Sequence, residues 1–161
     1  MAEAFNALGI PVRLKWPNDI LLEDCKVGGI LLEEKSGVIL AGIGINLIWS
    51  PPATELRQGW AVPASSLLEK GYDLRPLALF GSLVEMGRFW YRNQVLSAGM
   101  ESFPCCAERH LAWVGREIVV HGGEEGDRPG RILGLSPRGG LRVWSHGREH
   151  IVDSGSIIPV L

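Results

Sequence analysis

Apolar and charged residues alternate at the start of the chain, Val12, Leu14 and Trp16 against Arg13 and Lys15, which is the period of a strand with one face turned inward. Ahead of it, Ala2 to Leu8 reads as the end of a helix stopped by Gly9 and Pro11. Pro17-Asn18-Asp19 breaks the strand, Ile20 to Leu22 resumes it, and Glu23-Asp24-Cys25 turns the chain into a second strand, Val27 to Lys35. Ser36-Gly37 supplies the next hairpin, and Val38 to Asn46 continues as an apolar strand with glycines at 42 and 44. The expectation for Val12 to Asn46 is therefore a three-stranded antiparallel meander. In this pattern Lys15 points opposite the apolar face, where an edge lysine discourages aggregation, and Trp16 fills core.

Residues 47 to 63 carry three prolines and two tryptophans with no clear period, marking a long loop that leads to a short helix over Ser65 to Lys70. Asp73 is placed to cap the longest helix, with Pro76 in its first turn and Leu77, Phe80, Val84, Tyr91 and Val95 near helical spacing. Pro104 permits another short helix through Leu111. From Trp113 the pattern changes to brief β segments, near Glu117 to His121, Gly130 to Leu135, Leu141 to Ser145, Arg148 to Val152 and Ile157 to Val160. The change sets a domain boundary between residues 1–112 and 113–161, and five short strands suggest a small β-barrel that benefits from packing on the first domain.

Composition narrows the class. With 161 residues, 46% hydrophobic and 21% charged, the chain can bury an ordinary core, and its 21 glycines and 10 prolines lie between apolar runs, as turns do. Residues 1–112 hold 10 of the 16 Lys+Arg and 12 of the 18 Asp+Glu, and residues 113–161 hold 6 of each, so neither part is an electrostatic trap for nucleic acid. Arg138 and the Arg142 to His150 stretch near Trp144 are read as a mixed, solvated surface. No apolar run reaches membrane-helix length and no signal-peptide pattern opens the chain, so a cytoplasmic protein without a membrane partner is expected. Cys25, Cys105 and Cys106 suit neither a disulfide framework nor a spaced metal site and read as reduced thiols.

Chemistry concentrates in two segments, Lys15-Trp16-Pro17-Asn18-Asp19 and Lys26-Val27-Gly28-Gly29-Ile30-Leu31. Glycines let a backbone approach a ligand closely, and the neighbouring lysine brings a mobile positive charge, a combination suited to an acyl phosphate or nucleotide. Each residue also has a plain alternative: Lys26 as a solvated turn lysine, Gly28-Gly29 as relief for a β-bulge, Asn18, Asp19 and Asn46 as turn formers.

KWPNDILLEDCKVGGILLE, followed by AGIGIN and PASSLLEKG, resembles the biotin protein ligase family, and VGREIVV, GRILGLSPRGGLRV and DSGS are similar to that family's final domain. The ordered set of motifs is specific and spans nearly the whole chain. The resemblance implies an α/β (α+β) fold, a catalytic domain related to class II aminoacyl-tRNA synthetases followed by an SH3-like barrel. It implies a reaction in which biotin and ATP, with Mg2+, form biotinyl-adenylate, and the biotinyl group passes to a lysine of a biotin carboxyl carrier protein domain. By motif position, Lys26 neutralises the α-phosphate, Gly29 brings backbone close to biotin or the acyl phosphate, Gly28, Asn46 and Asn18 belong to the biotin/adenylate site, and Asp19 orients or deprotonates the acceptor lysine.

One departure shapes the remaining expectations. The arginine- and glycine-rich loop that wraps the adenylate phosphates in such ligases has no counterpart in these 161 residues. Contacts from such a loop contribute about 1.5 to 3 kcal/mol each. The sequence therefore leads us to expect the C-terminal portion of a ligase, inactive alone, binding neither biotin nor ATP tightly and completed by a separate N-terminal fragment. Uncovered sheet edge predicts a homodimer or higher assembly. The alternative is a non-catalytic binding or assembly module derived from a ligase.

Overall fold

The structure is a computed structural model, and it describes residues 1–55, 62–96, 103–122 and 126–160. Residues 56–61 of the expected long loop lie outside that set. Two antiparallel sheets organise the molecule.

Helix α1 (Ala2–Ala7) buries Ala2, Ala4 and Phe5 and ends before Gly9, whose φ of 76° is one that glycine tolerates and most residues do not. Strands β1 (Arg13–Lys15), β2 (Asp19–Leu22), β3 (Cys25–Lys35) and β4 (Val38–Ile45) follow in sequence order within one sheet. This is four strands where the alternation suggested three. Pro17-Asn18 does not interrupt a strand; it reverses it, so that Arg13 pairs with Leu21 and Lys15 with Asp19. The Trp16–Pro17 peptide bond within that reversal is cis. Between β2 and β3 the register slips, Ile20 opposite Gly28 but Leu21 opposite Lys26, which leaves Val27 as an extra residue, a β-bulge.

The stretch Ser65 to Lys70 forms a turn and not the expected helix. Its backbone is claimed from the side instead: Lys26 N–H donates to Pro63 O, Ser65 N–H to Lys26 O, and Leu67 N–H to Asn46 O. Ser66 and Glu69 exchange hydrogen bonds, Ser66 N–H to the Glu69 carboxylate at 2.8 Å and Glu69 N–H to Ser66 Oγ at 3.2 Å, the reciprocal pattern of a capping box on a single turn.

Helix α2 (Pro76–Trp90) starts with Pro76 at its first position, has Arg75 as N-cap and receives no side-chain cap, so Asp73 does not play the expected role. It runs on through a wider turn, Tyr91–Val95. Leu79 is its one buried residue, with Leu83 packed partly against the same core, while Leu77, Phe80, Val84 and Tyr91 are exposed, Leu77 at 85%. The apolar stripe read from the sequence is therefore largely turned outward, because the face that meets α1 is set by the docking of the helix and not by counting hydrophobic residues. Helix α3 (Phe103–Glu108) is short, as Pro104 suggested.

Strands β5 (Glu117–His121), β6 (Arg128–Leu135), β7 (Leu141–Ser145), β8 (Arg148–Val152) and β9 (Ser156–Pro159) fall close to their expected bounds and form a five-stranded sheet in the order β8-β7-β6-β5-β9. Among the described residues β8 and β9 are its edges and no ladder joins them, so the sheet does not close into the expected barrel; the segments were legible in the sequence but their pairing was not. Its core, with Ile118, Val120, Ile132, Leu141, Val143, Val152 and Ile157, is continuous with Trp16, Leu21, Val62 and Leu111 from earlier in the chain. A second cluster joins α1, β2, β3 and Leu79 of α2. Outside both, the β3–β4 hairpin exposes Leu31, Leu32, Val38, Ile39 and Leu40.

No described helix is long and apolar enough to cross a membrane.

Candidate functional site

Asp19 opens β2 and lies opposite Gly29 of β3. Its two carboxylate oxygens go to different lysines: Oδ2 accepts from Lys15 Nζ at 2.8 Å, and Oδ1 forms an ion pair with Lys26 Nζ. Lys26 side chain is 43% exposed, Asp19 13% and Lys15 3%. Lys15 thus does not face solvent as the strand alternation predicted. Because the chain reverses at Pro17-Asn18, Lys15 and Asp19 sit directly across the β1–β2 ladder, and the carboxylate compensates an ammonium that would otherwise be costly to bury.

The Val27 bulge explains how Lys26 and Gly29, three residues apart, come to share a side of β3. A Cβ built on Gly29 would stand 3.7 Å from Lys26 Cε and 3.6 Å from Asp19 Oδ1, in ordinary contact with both, so the absent side chain leaves the flank of the ion pair uncovered. An open depression of about 490 Å³ lies there, lined by Asn18, Asp19, Lys26, Gly29 and Gly44 together with Ile30, Leu31, Gly42 and Ile43. Asn18 fixes its rim by donating its amide N–H to Ile30 O at 2.8 Å and accepting the Ile30 N–H on its backbone carbonyl.

Four of the residues singled out from the sequence, Asn18, Asp19, Lys26 and Gly29, therefore meet in one concavity. Gly28 and Asn46 do not line it. A Cβ on Gly28 would come within 2.5 Å of Gly44 O and 2.8 Å of Ile45 Cδ1, so this glycine is required by the packing of β3 on β4. Asn46 stands behind Lys26: its amide nitrogen donates to Ser65 O at 3.0 Å and to Lys26 O at 3.4 Å, tying the lysine-bearing strand to the Pro63–Ser65 segment.

One contact of a motif residue, and one residue that touches the buried end of the site, were not legible in the motifs. Trp16 is buried, as expected of a core residue, but its Nε1–H also donates to Gly139 O in the second sheet's β6–β7 turn. Ser156, at the start of β9, lies 3.3 Å from Lys15 Nζ. Neither partner is near in sequence, and only DSGS, as a polar insertion before the last apolar strand, hinted at the second.

Among the described residues no group of three or more His, Cys, Asp or Glu side chains could hold a metal ion, and both oxygens of Asp19 are engaged by ammonium groups. The donor set does not fit a protein-held Mg2+.

What the arrangement offers is an ammonium at the rim of a depression, steadied by a carboxylate, next to backbone left bare by a glycine. The sequence pattern of the biotin/lipoate A/B protein ligase family matches residues 1–48. The biotin–[acetyl-CoA-carboxylase] ligase of Paracoccus denitrificans is 36% identical over 164 residues, covering 95% of this chain and 68% of the relative. The bifunctional ligase/repressor BirA of Escherichia coli K12 is 38% identical over 91 residues, 52% of this chain and 27% of that protein. Among solved structures, the biotin protein ligase of Aquifex aeolicus in complex with biotin and ATP superposes with a TM-score of 0.74 at 25% identity, covering 99% of this chain and 66% of that one. The apo form of the same enzyme gives 0.75, with 99% and 70% covered.

Proposed function

Since the chain belongs to the biotin protein ligase family, we propose that its depression at Lys26 and Gly29 is the acyl-phosphate side of a site that joins biotin to ATP and passes the biotinyl group to a carrier lysine. The single observation that carries this reading is the placement of the Lys26 ammonium, half exposed and steadied by Asp19, in the depression that Gly29 also lines.

In the first half-reaction a carboxylate oxygen of biotin attacks the α-phosphorus of ATP, the bond to the bridging oxygen breaks and pyrophosphate leaves. Negative charge gathers on the α-phosphate, and Lys26 opposes it. A point-like ammonium that swings on a flexible stem suits this better than the planar fork of arginine. In the second, an amine of a biotin carboxyl carrier protein domain loses a proton, attacks the acyl carbon and expels AMP. Asp19 is the proton acceptor within reach, provided its Oδ1 first releases Lys26. Asn18 and Asn46 hold the strands on which these groups sit, and Gly28 permits their close packing.

Positive charge at the phosphate comes, in this proposal, from Lys26. The exposed β3–β4 face supports one further expectation, that the chain associates with itself or with an added ligase segment.

The test is biotin-dependent pyrophosphate release, measured on the chain alone and after addition of the part of the Paracoccus ligase that lies outside the matched region. Lys26→Ala is expected to lower the rate about 10² to 10³-fold, the usual cost of one transition-state charge partner, and Lys26→Arg to rescue little of it. Unchanged pyrophosphate release in Lys26→Ala would remove the proposed role.

A further inference from the structure

Lys15 is the most buried charged group of the molecule's polar cluster and the function just proposed makes no use of it. Its side chain is 3% exposed, yet its ammonium does not lie idle: it holds Asp19 Oδ2 at 2.8 Å and reaches Ser156 Oγ at 3.3 Å. The same carboxylate holds Lys26 through its other oxygen. Three groups thus form a line from interior to surface, ammonium, carboxylate, ammonium, with two positive charges and one negative.

The arithmetic of that line matters for an anion arriving at the surface end. If Asp19 faced Lys26 alone, the pair would be neutral, and a phosphate would have to compete with a carboxylate already in contact with the ammonium. With Lys15 behind it, the carboxylate is compensated from the interior and one positive charge is left over, at Lys26, where the side chain is accessible. Burial strengthens the effect, because the Lys15–Asp19 contact is far less screened than the Lys26 end.

Building on the role given to Lys26, we propose that Lys15 is a positioning residue whose buried charge neutralises Asp19, so that Lys26 keeps a net positive charge for the phosphate of an adenylate or nucleotide. Ser156 ties this arrangement to the second sheet: β9 supplies the second acceptor of the interior ammonium, 141 residues away in sequence. The C-terminal strands thereby help set the electrostatics of a depression they do not line.

The test is charge compensation, read as ATP affinity of the chain by calorimetry and as protection of Lys26 from amine-reactive labelling by ATP or inorganic pyrophosphate. Lys15→Met removes the charge and Lys15→Gln removes it while keeping hydrogen-bonding capacity toward Asp19 and Ser156. Each is expected to weaken ATP binding about tenfold or more, the scale on which loss of one partner of a buried charge pair is felt. Adding Asp19→Asn to either restores the net charge at Lys26 and should bring affinity back to within about threefold of the parent. Ser156→Ala should shift affinity in the same direction as Lys15→Met but less.

Double variants as weak as the singles overturn the proposal, as does a loss and recovery of ATP affinity that merely follows the urea midpoints of the singles and doubles, the mark of a purely structural ion pair; so does a Lys15→Gln protein that binds ATP like the parent while Lys26→Ala does not. Should Lys15→Met fail to fold, Lys15→Gln and its Asp19→Asn double decide the matter alone. If Lys26→Ala leaves ATP binding unchanged, or ATP fails to protect Lys26 of the parent chain from labelling, the anion site itself is refuted, a result separable from failure of the Lys15 inference.

Discussion

A methyl group added at Gly28 would press on Gly44 O at 2.5 Å, while one added at Gly29 would touch its nearest neighbour, Asn18 O, only at 3.4 Å. Two adjacent glycines therefore predict opposite phenotypes. Gly28→Ala should destabilise the fold by about 1–3 kcal/mol, the usual cost of overpacking, visible as a lower midpoint in urea. Gly29→Ala should leave that midpoint nearly unchanged and weaken adenylate formation, because the methyl occupies the space beside Lys26; a Gly29→Ala protein as unstable as Gly28→Ala would show that the space is structural. The sequence marked both positions equally. The difference comes from the Val27 bulge and the close approach of β4, which no local pattern announces.

At the scale of elements, the turn at Ser65 to Lys70 is held by its side chains. Hydrogen bonds from the Ser66 backbone N–H, and then from the Ser65 hydroxyl, hold the Glu69 carboxyl below its ordinary range. A depressed folded-state pKa contributes stability that is present above the unfolded value and is lost as pH falls through the folded one. Acid titration should therefore loosen this turn below the ordinary carboxylate range, and Glu69→Gln should abolish that part of the pH dependence, as followed by amide exchange at Ser66 and Leu67. Ser66 is fully buried, and Ser66→Ala should cost about 0.5–2 kcal/mol through loss of the reciprocal bond to Glu69 N–H. Because Asn46 and Lys26 are bonded to the same segment, the substitution is also expected to lower site occupancy by ligand. PASSLLEKG is visible in the sequence as a unit; that it forms one capped turn stitched sideways to β3, and not a helix, follows from hydrogen bonds to residues about 20 and 40 positions upstream.

For the molecule as a whole, the core of the second sheet passes through residue 113 without a break. Trp16, Leu21, Val62 and Leu111 complete it, Trp16 Nε1–H reaches Gly139 O, and Trp113 Nε1–H reaches Asp24 Oδ1 at 2.7 Å. Trp16→Ala should accordingly cost about 3–5 kcal/mol and disturb the second sheet as well as β1, a joint loss detectable in the amide spectra of β6 and β7. The β3–β4 hairpin carries the liability. Val38 to Ile45 has no charge and no proline, it is an edge strand, and Ile39 is 70% exposed. Self-association in light scattering at micromolar concentration is expected, and Ile39→Lys should reduce it, since charge on an edge opposes further pairing. A monodisperse monomer at that concentration would refute it.

The sequence by itself determined the strand segments of the second half, the helices that begin and end near Gly9, Pro76 and Pro104, and the identity of the lysine and glycine that share the depression, because periodicity, turn chemistry and motif spacing are local properties of a chain. Only the tertiary structure decided that Pro17-Asn18 reverses the strand, that Lys15 is buried and bonded to Asp19 and Ser156, and that α2 turns much of its apolar stripe outward. Each of those depends on which distant segment arrives as a neighbour, and the cost of burying a charge or a methyl group is defined by that neighbour.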